Sequence, residues 1–230
     1  MNTSICLISD LHGYLPPTTP ESDVLVVAGD ICPTYNHDLP FQSGWLINKF
    51  APWCKQQPAP KVIVIPGNHD WIMEKETSRL YHVESAYTLL IDQLYEYRGI
   101  KFYGSPWTKR FNDWAFNMDE NQLARKYEQI PSDPFDPIDV LIAHGPPHGY
   151  GDTVNTHPWE HLGSASLYNY LRYSGIKLLV CGHIHTGHGI YSCCSTVVAN
   201  ASLLDEQYRP VYSPIMADFI DNTLMDVRQL

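Results

Sequence analysis

No stretch of this 230-residue chain is long and apolar enough to span a bilayer, and Met1 to Leu7 show no basic region leading into a long apolar run. Neither a membrane anchor nor a secretory leader is therefore expected. Basic residues are scarce: 15 Lys and Arg stand against 25 Asp and Glu, a formal net charge of −10. That balance argues against a surface that grips nucleic acid by neutralising its phosphates, so no stable nucleic-acid complex is expected. A small phosphorylated substrate is not excluded, because bound divalent cations reverse the field locally. The six cysteines include no C-x-x-C pair. Cys6 and Cys181 lie in apolar runs and read as small buried hydrophobes, and the adjacent Cys193 and Cys194 mark no recognisable site. Free thiols without a leader point to a reducing compartment, most simply the cytoplasm. Repeats, low-complexity tracts and heptads are also missing, so one domain over residues 1–230 is expected and the oligomeric state is left open.

What is present is a series of short runs rich in Val, Ile and Leu: Ile5 to Ile8, Val24 to Ala28, Val62 to Ile65, Val140 to Ala143 and Leu178 to Cys181. Each reads as a strand buried on both faces. Amphipathic helices are predicted between them, at Phe41 to Gln57 and His161 to Tyr173, which gives an α/β alternation. Segments near Gly189 to Tyr191, Thr196 to Ala199 and Ile215 to Ile220 read as further strands with no long helix between them, so a second, partly antiparallel sheet is expected. The Pro-rich stretches Leu15 to Pro20 and Ile130 to Pro137 read as loops. The aromatic segment Gly104 to Gln129 has no clear period and reads either as an excursion over a site or as a loop packed on the core.

The chemistry lies just after the predicted strands. The first runs into Ser9-Asp10-Leu11-His12, the second into Gly29-Asp30 and the third into Pro66-Gly67-Asn68-His69-Asp70. The fourth runs into His144-Gly145 and the last into Gly182-His183-Ile184-His185. In open α/β sheets, sites form beyond the carboxyl ends of strands, so residues distant in sequence converge there. One such residue alone is more often a turn or a hydrogen-bonded structural group. Five strands each ending in residues able to bind a metal are not explained that way.

In that order, D-x-H, G-D, G-N-H-D, H-G and G-H-x-H, the motifs resemble those of the calcineurin-like metallophosphoesterase superfamily over Asp10 to His185. The resemblance implies a two-sheet mixed β-sandwich flanked by helices, a four-layer α/β fold, with two divalent metal ions at the strand ends. It further implies one ion on Asp10, His12, Asp30 and His185, and a second on Asp30, Asn68, His144 and His183, with Asp30 shared. Carboxylate and imidazole donors suit Mn, Fe, Zn, Co or Ni rather than Mg or Ca. A shared carboxylate would hold two ions about 3.5–4 Å apart, and water activated between them would attack phosphorus directly. His69, outside that ligand set, is assigned as general acid to the leaving oxygen or as its cationic stabiliser, with Asp70 either orienting it or capping a helix.

The substrate is narrowed by resemblance within the superfamily. Protein Ser/Thr phosphatases extend the second motif with Asp-Arg-Gly, whereas here Gly29-Asp30 continues into Ile31-Cys32-Pro33-Thr34-Tyr35, which disfavours a phosphoprotein. Gly104-Ser105-Pro106-Trp107, Ala115-Phe116-Asn117 and His144-Gly145-Pro146-Pro147 resemble segments of small phosphodiesterases, the metallophosphoesterase-domain-containing proteins. Some of those lack the first His of the last motif; His183 is present here. Hydrolysis of small diesters such as cyclic nucleotides is implied, with Trp107, Phe116, Asn117 and His148 as candidate substrate contacts. A phosphomonoesterase with the same centre and a metal-stabilised nucleotide-binding protein without turnover are the alternatives.

Overall fold

The structure is a computed structural model that describes residues 1–230 except 84, 132, 134 and 135, with the side chains of 81 and 82 also set aside. Part of the predicted 130–137 loop therefore lies outside the described residues. In chain order the strands are β1 (Asn2–Ile8), β2 (Val24–Ala28), β3 (Lys61–Ile65), β4 (Thr88–Leu89), β5 (Gln93–Tyr97), β6 (Ile100–Ser105), β7 (Thr108–Lys109) and β8 (Asn117–Met118). They continue with β9 (Val140–Ala143), β10 (Leu178–Cys181), β11 (Gly189–Cys193), β12 (Thr196–Asn200), β13 (Ile215–Ile220) and β14 (Thr223–Gln229). One six-stranded sheet has the order β14-β13-β1-β2-β3-β4 and the other β11-β12-β10-β9-β6-β5. The central strands of each are parallel, and antiparallel strands close three of the four edges.

The apolar runs are continuous rather than alternating because both faces of the central strands are covered. Ile5, Leu7, Val24, Val26, Ile63 and Ile65 of the first sheet meet Phe102, Val140, Ile142, Leu178 and Val180 of the second. The opposite face of the first sheet, through Leu25, Val27 and Val64, carries Leu46, Phe50, Trp53, Ile72 and Met73. Leu141, Leu179 and Val198 of the second carry Leu123, Tyr127, Leu167 and Leu171. The layers are thus helix, sheet, sheet, helix, as the resemblance implies.

The predicted helix over 41–57 is one run divided into α1 (Leu39–Trp45), a π-helical turn over 46–50 and α2 (Ala51–Gln56). Pro52 lies two residues past the wide turn, in the first turn of α2, and has no N–H to place in an α-helical ladder. After the short α3 (Trp71–Lys75), two longer helices cover the second sheet, α4 (Glu120–Glu128) and α5 (Ala165–Ser174). The latter starts four residues after the expected His161, because Ser164 caps it by accepting from Leu167 N at 3.1 Å. Gly175, at φ 70°, ends it in the left-handed region. The segment 104–129 is more regular than expected: β7 and β8 pair, and a capping box of Asp119 with Gln122 starts α4. All six cysteines are free thiols, and among the described residues no helix is long and apolar enough to cross a membrane.

Candidate metal centre

Five parallel strands deliver polar residues to the same rim. Asp10 and His12 follow β1, Asp30 follows β2, Asn68 and His69 follow β3, His144 follows β9, and His183 and His185 follow β10. The loops are tied to one another: Asp10 N donates to Gly29 O at 3.0 Å, His12 N to Asp30 O at 2.8 Å and Gly182 N to His144 O at 2.9 Å. Asp10, His12, Asp30 and His183 all have positive φ, between 43° and 67°. Such conformations are costly for non-glycine residues and persist only where the surroundings enforce them, as at functional sites.

The side chains converge in two overlapping groups. In the first, His185 Nε2 lies 3.2 Å from His12 Nε2 and 3.5 Å from Asp10 Oδ1, and His12 Nε2 lies 3.5 Å from Asp30 Oδ2. In the second, His144 Nε2 lies 3.4 Å from Asp30 Oδ1 and 3.1 Å from Asn68 Oδ1, with the His183 ring beside it. Asp30 therefore turns one carboxylate oxygen to each group. Donor atoms of Asp10, His12 and His185, and separately those of Asp30, His144 and His183, lie within 4.8 Å of one another, a spacing that a metal ion can span. His12, Asp30 and His69 form a third such group.

Burial opposes charge on all of these rings. For His12 and His183 it prevails and lowers the pKa to about 4. For His144 and His185 it is overridden by the carboxylates of Asp30 and Asp10 respectively, which raise the pKa to about 9. Both carboxyls are held below the usual range despite their burial, Asp10 chiefly by His185 and Asp30 chiefly by His144. The carboxylates thus favour positive charge on two imidazoles, a role that bound cations would take over. The second ring nitrogens are committed: His144 Nδ1 donates to Ala28 O at 2.8 Å and His185 Nδ1 to Asp205 O at 2.9 Å. Carbonyl partners of this kind fix Nε2 toward a metal. The donor chemistry and its convergence fit two divalent cations.

The same geometry corrects several expectations. Asp70 does not touch the His69 ring; its buried carboxylate accepts from Ile31 N at 3.1 Å, Cys32 N at 2.8 Å and Gly67 N at 2.8 Å, and so fixes the loops carrying Asp30 and Asn68. Burial and the nearby Asp30 charge push its pKa up against those three donors. Phe116 is 1% exposed and packs in the core. Trp107 donates from Nε1 to Asp92 Oδ2 at 2.8 Å, and Asn117 donates to Phe111 O at 2.9 Å, so the first is tied to a carboxylate outside the cavity lining and the second braces the loop 109–114. His148 is exposed against His161, away from the cavity.

The side chains that wall the site are others. A cavity of about 440 Å³ opens over Asp30, His12 and His69, flanked by Lys109, Phe111, Trp114 and Tyr208. The Tyr208 ring lies 4.8 Å from His12 and Trp114 lies 4.3 Å from His69. Behind the ligands, Ser202 Oγ donates to Asp10 Oδ2 at 2.7 Å, and the Asn200 amide donates to Gly151 O at 3.1 Å and Ile184 O at 2.9 Å. Nothing local in the sequence marked Asn200, Ser202, Asp205 or Tyr208, since each acts through a fold contact with a residue far away in the chain.

The calcineurin-like phosphoesterase family profile matches residues 3–187. The chain belongs to that family. Its members typically bind two divalent metals, and this calcineurin-like phosphoesterase carries candidate His and Asp groups for them. It is 33% identical over 242 aligned residues to human metallophosphoesterase domain-containing protein 1, an alignment covering 94% of this chain and 71% of the relative. Among solved structures, the TT1561 protein of Thermus thermophilus superposes with a TM-score of 0.66 at 12% identity, covering 100% of this chain and 99% of that one. A Staphylococcus aureus protein named a putative 5'-nucleotidase does so with a TM-score of 0.58 at 14% identity, covering 100% and 53%. Residues Asn200 to Tyr208, which hold and wall the centre of this phosphoesterase, lie beyond the matched segment.

Proposed function

We propose that this phosphoesterase is a two-metal phosphodiesterase acting on small diesters, cyclic nucleotides among them. The observation carrying the reading is Asp30, whose two oxygens face two separate sets of nitrogen and oxygen donors at the floor of the cavity. Asp10, His12, Asp30 and His185 would hold one ion, and Asp30, Asn68, His144 and His183 the other. When bound, such a pair supplies Lewis acidity toward phosphoryl oxygens and acidifies water toward a pKa of about 7. The chain's own groups do the rest. Ser202 and the His183 N–H fix the Asp10 carboxylate, and Ala28 O and Asp205 O fix two imidazoles, so little reorganisation accompanies the reaction. His69 faces the cavity and is the group that protonates the leaving oxygen.

Two features support a small diester. No Asp-Arg-Gly follows Gly29-Asp30. The cavity volume suits a nucleotide-sized ligand, and Trp114, Phe111 and Tyr208 offer aromatic faces to a base, with Lys109 beside them for charge. Manganese-loaded protein is expected to hydrolyse bis(p-nitrophenyl) phosphate faster than p-nitrophenyl phosphate, and Asp30→Ala and His183→Ala are each expected to lower that rate at least about 100-fold. A preference for the monoester would favour the phosphomonoesterase reading, and tight nucleotide binding without turnover the binding-protein reading.

A further inference from the structure

The His69 ring has a partner that the metal centre does not use. His37 Nε2 lies 3.2 Å from His69 Nδ1, and Trp114 closes the triangle, its ring 4.3 Å from His69 and 5.3 Å from His37. His37 stands on a loop fixed at both ends. At one end Ile31 N and Cys32 N donate to the Asp70 carboxylate; at the other the chain enters α1, whose buried Gln42 donates from Nε2 to His69 O at 2.7 Å. The Gln42 carbonyl oxygen accepts from Ile72 N at 3.0 Å. The backbone of His69 is therefore held by Gln42, and its own N–H donates to Asp30 Oδ1 at 2.8 Å. Its ring is held by His37.

We infer that His37 is a positioning residue for His69, accepting its Nδ1–H so that Nε2 is the nitrogen that gains and loses the catalytic proton. This rests on the reading of His69 as general acid. The alternative assignment of the shared proton fails on chemistry. If His37 donated to a bare His69 Nδ1, loss of the Nε2 proton would leave an imidazolate. With Nδ1–H donated to His37, the balance is simple: water, having lost one proton to solvent, forms the new P–O bond as hydroxide, the old P–O bond breaks with its electron pair passing to the leaving oxygen, and the Nε2 proton of doubly protonated His69 moves onto that oxygen and is later replaced from solvent. His69 is left neutral, with Nδ1–H still donated to His37. Trp114 keeps the two rings from swinging apart.

Two measurements test this, one independent of turnover. In ¹⁵N imidazole spectra of zinc-loaded protein, neutral His69 is expected as the Nδ1–H tautomer. In His37→Ala it is expected to shift toward the Nε2–H form that free histidine favours in water, and in His37→Gln, whose carbonyl can accept, to stay Nδ1–H. In manganese-loaded enzyme, His37→Ala is expected to lower kcat on methyl phenyl phosphate about ten-fold more than on methyl p-nitrophenyl phosphate, since only the poorer leaving group needs the proton; the general acid as a whole contributes about 10²–10⁴-fold. KM is expected to change little, and His37→Gln to recover most of the loss. An unchanged tautomer, or equal losses on both esters, overturns the role of His37. His69→Ala separates the two claims: if it shows the leaving-group effect and His37→Ala does not, the acid stands and its positioning by His37 falls. If neither shows it, the assignment of His69 falls as well.

Discussion

Gly67 stands against the shared ligand Asp30 with no room for a side chain. A Cβ there would lie 2.3 Å from both Asp30 N and Asp30 Oδ1 and 2.7 Å from His144 Cε1. The glycine is required by close approach rather than by backbone conformation, since its φ is ordinary. Gly67→Ala must therefore displace the one carboxylate that faces both donor groups. The expected outcome is a fall from two bound ions per chain to one or none by elemental analysis, with loss of at least about 100-fold in diester hydrolysis; the overpacking itself costs about 1–3 kcal/mol in the melting curve. Full metal content in that variant would show that Asp30 does not need its observed position. The residues legible in the sequence are those placed by a strand end, because a fully buried run followed by Gly and a polar residue carries its own signal. His37, Trp114, Ser202 and Tyr208 carry none, and the aromatics singled out instead, Trp107 and Phe116, are turned inward to fill space beneath the loop that lines the cavity.

Among the elements, α4 and α5 are joined by one carboxylate. Glu120, the first residue of α4, accepts from Ser164 Oγ at 3.1 Å, Ala165 N at 3.2 Å and Ser166 N at 3.0 Å, so it caps α5 from outside. Burial opposes its ionisation, yet the Ser166 hydroxyl and N–H, with Ser164 and Ala165, outweigh burial and lower its pKa from the ordinary 4.5. A lowered folded-state pKa contributes stability above 4.5 and loses it as pH falls through the folded value. Glu120→Ala is expected to cost about 1–2 kcal/mol in urea unfolding at pH 7, and the gap from the wild type to narrow as pH drops beneath 4.5. A gap that stays constant with pH would mean that the ionised carboxylate is not what stabilises α5. Strands β1, β2, β3, β9 and β10, the helical run over 41–57 and α5 were readable, since burial on two faces or along one stripe imposes a composition. The β5–β6 hairpin and β14 were not: Gln93–Tyr97 and Thr223–Gln229 are largely exposed edge strands with mixed sequences, and α4 begins with a capping box set inside an aromatic stretch that masks its period.

At the scale of the whole molecule, the centre sits where the two sheets meet, with Asp10, His12, Asp30 and Asn68 coming from loops of one and His144, His183 and His185 from loops of the other. The core between the sheets is apolar, so at this rim the layers are joined through groups that carry charge. Two carboxylates, Asp10 and Asp30, are buried there in a chain of net charge −10; they raise the pKa of His144 and His185 to about 9 and accept from Ser202 Oγ, His183 N and His69 N. Ions bound by both sets of loops act on the native state alone, because the unfolded chain has no such convergence of donors. Stability must then rise with free metal as RT ln(1 + [L]/Kd), about 2.7 kcal/mol per site at a hundred-fold excess over Kd. Titrating chelator-stripped protein with manganese or zinc is expected to raise the melting temperature until two ions per chain are bound, and a chelator to reverse it. In Asp30→Asn, which keeps the shape but removes the shared negative charge, most of that rise is expected to vanish. A melting temperature indifferent to metal in the unmodified chain would mean that the convergent donors hold the sheets together by hydrogen bonds and protons alone.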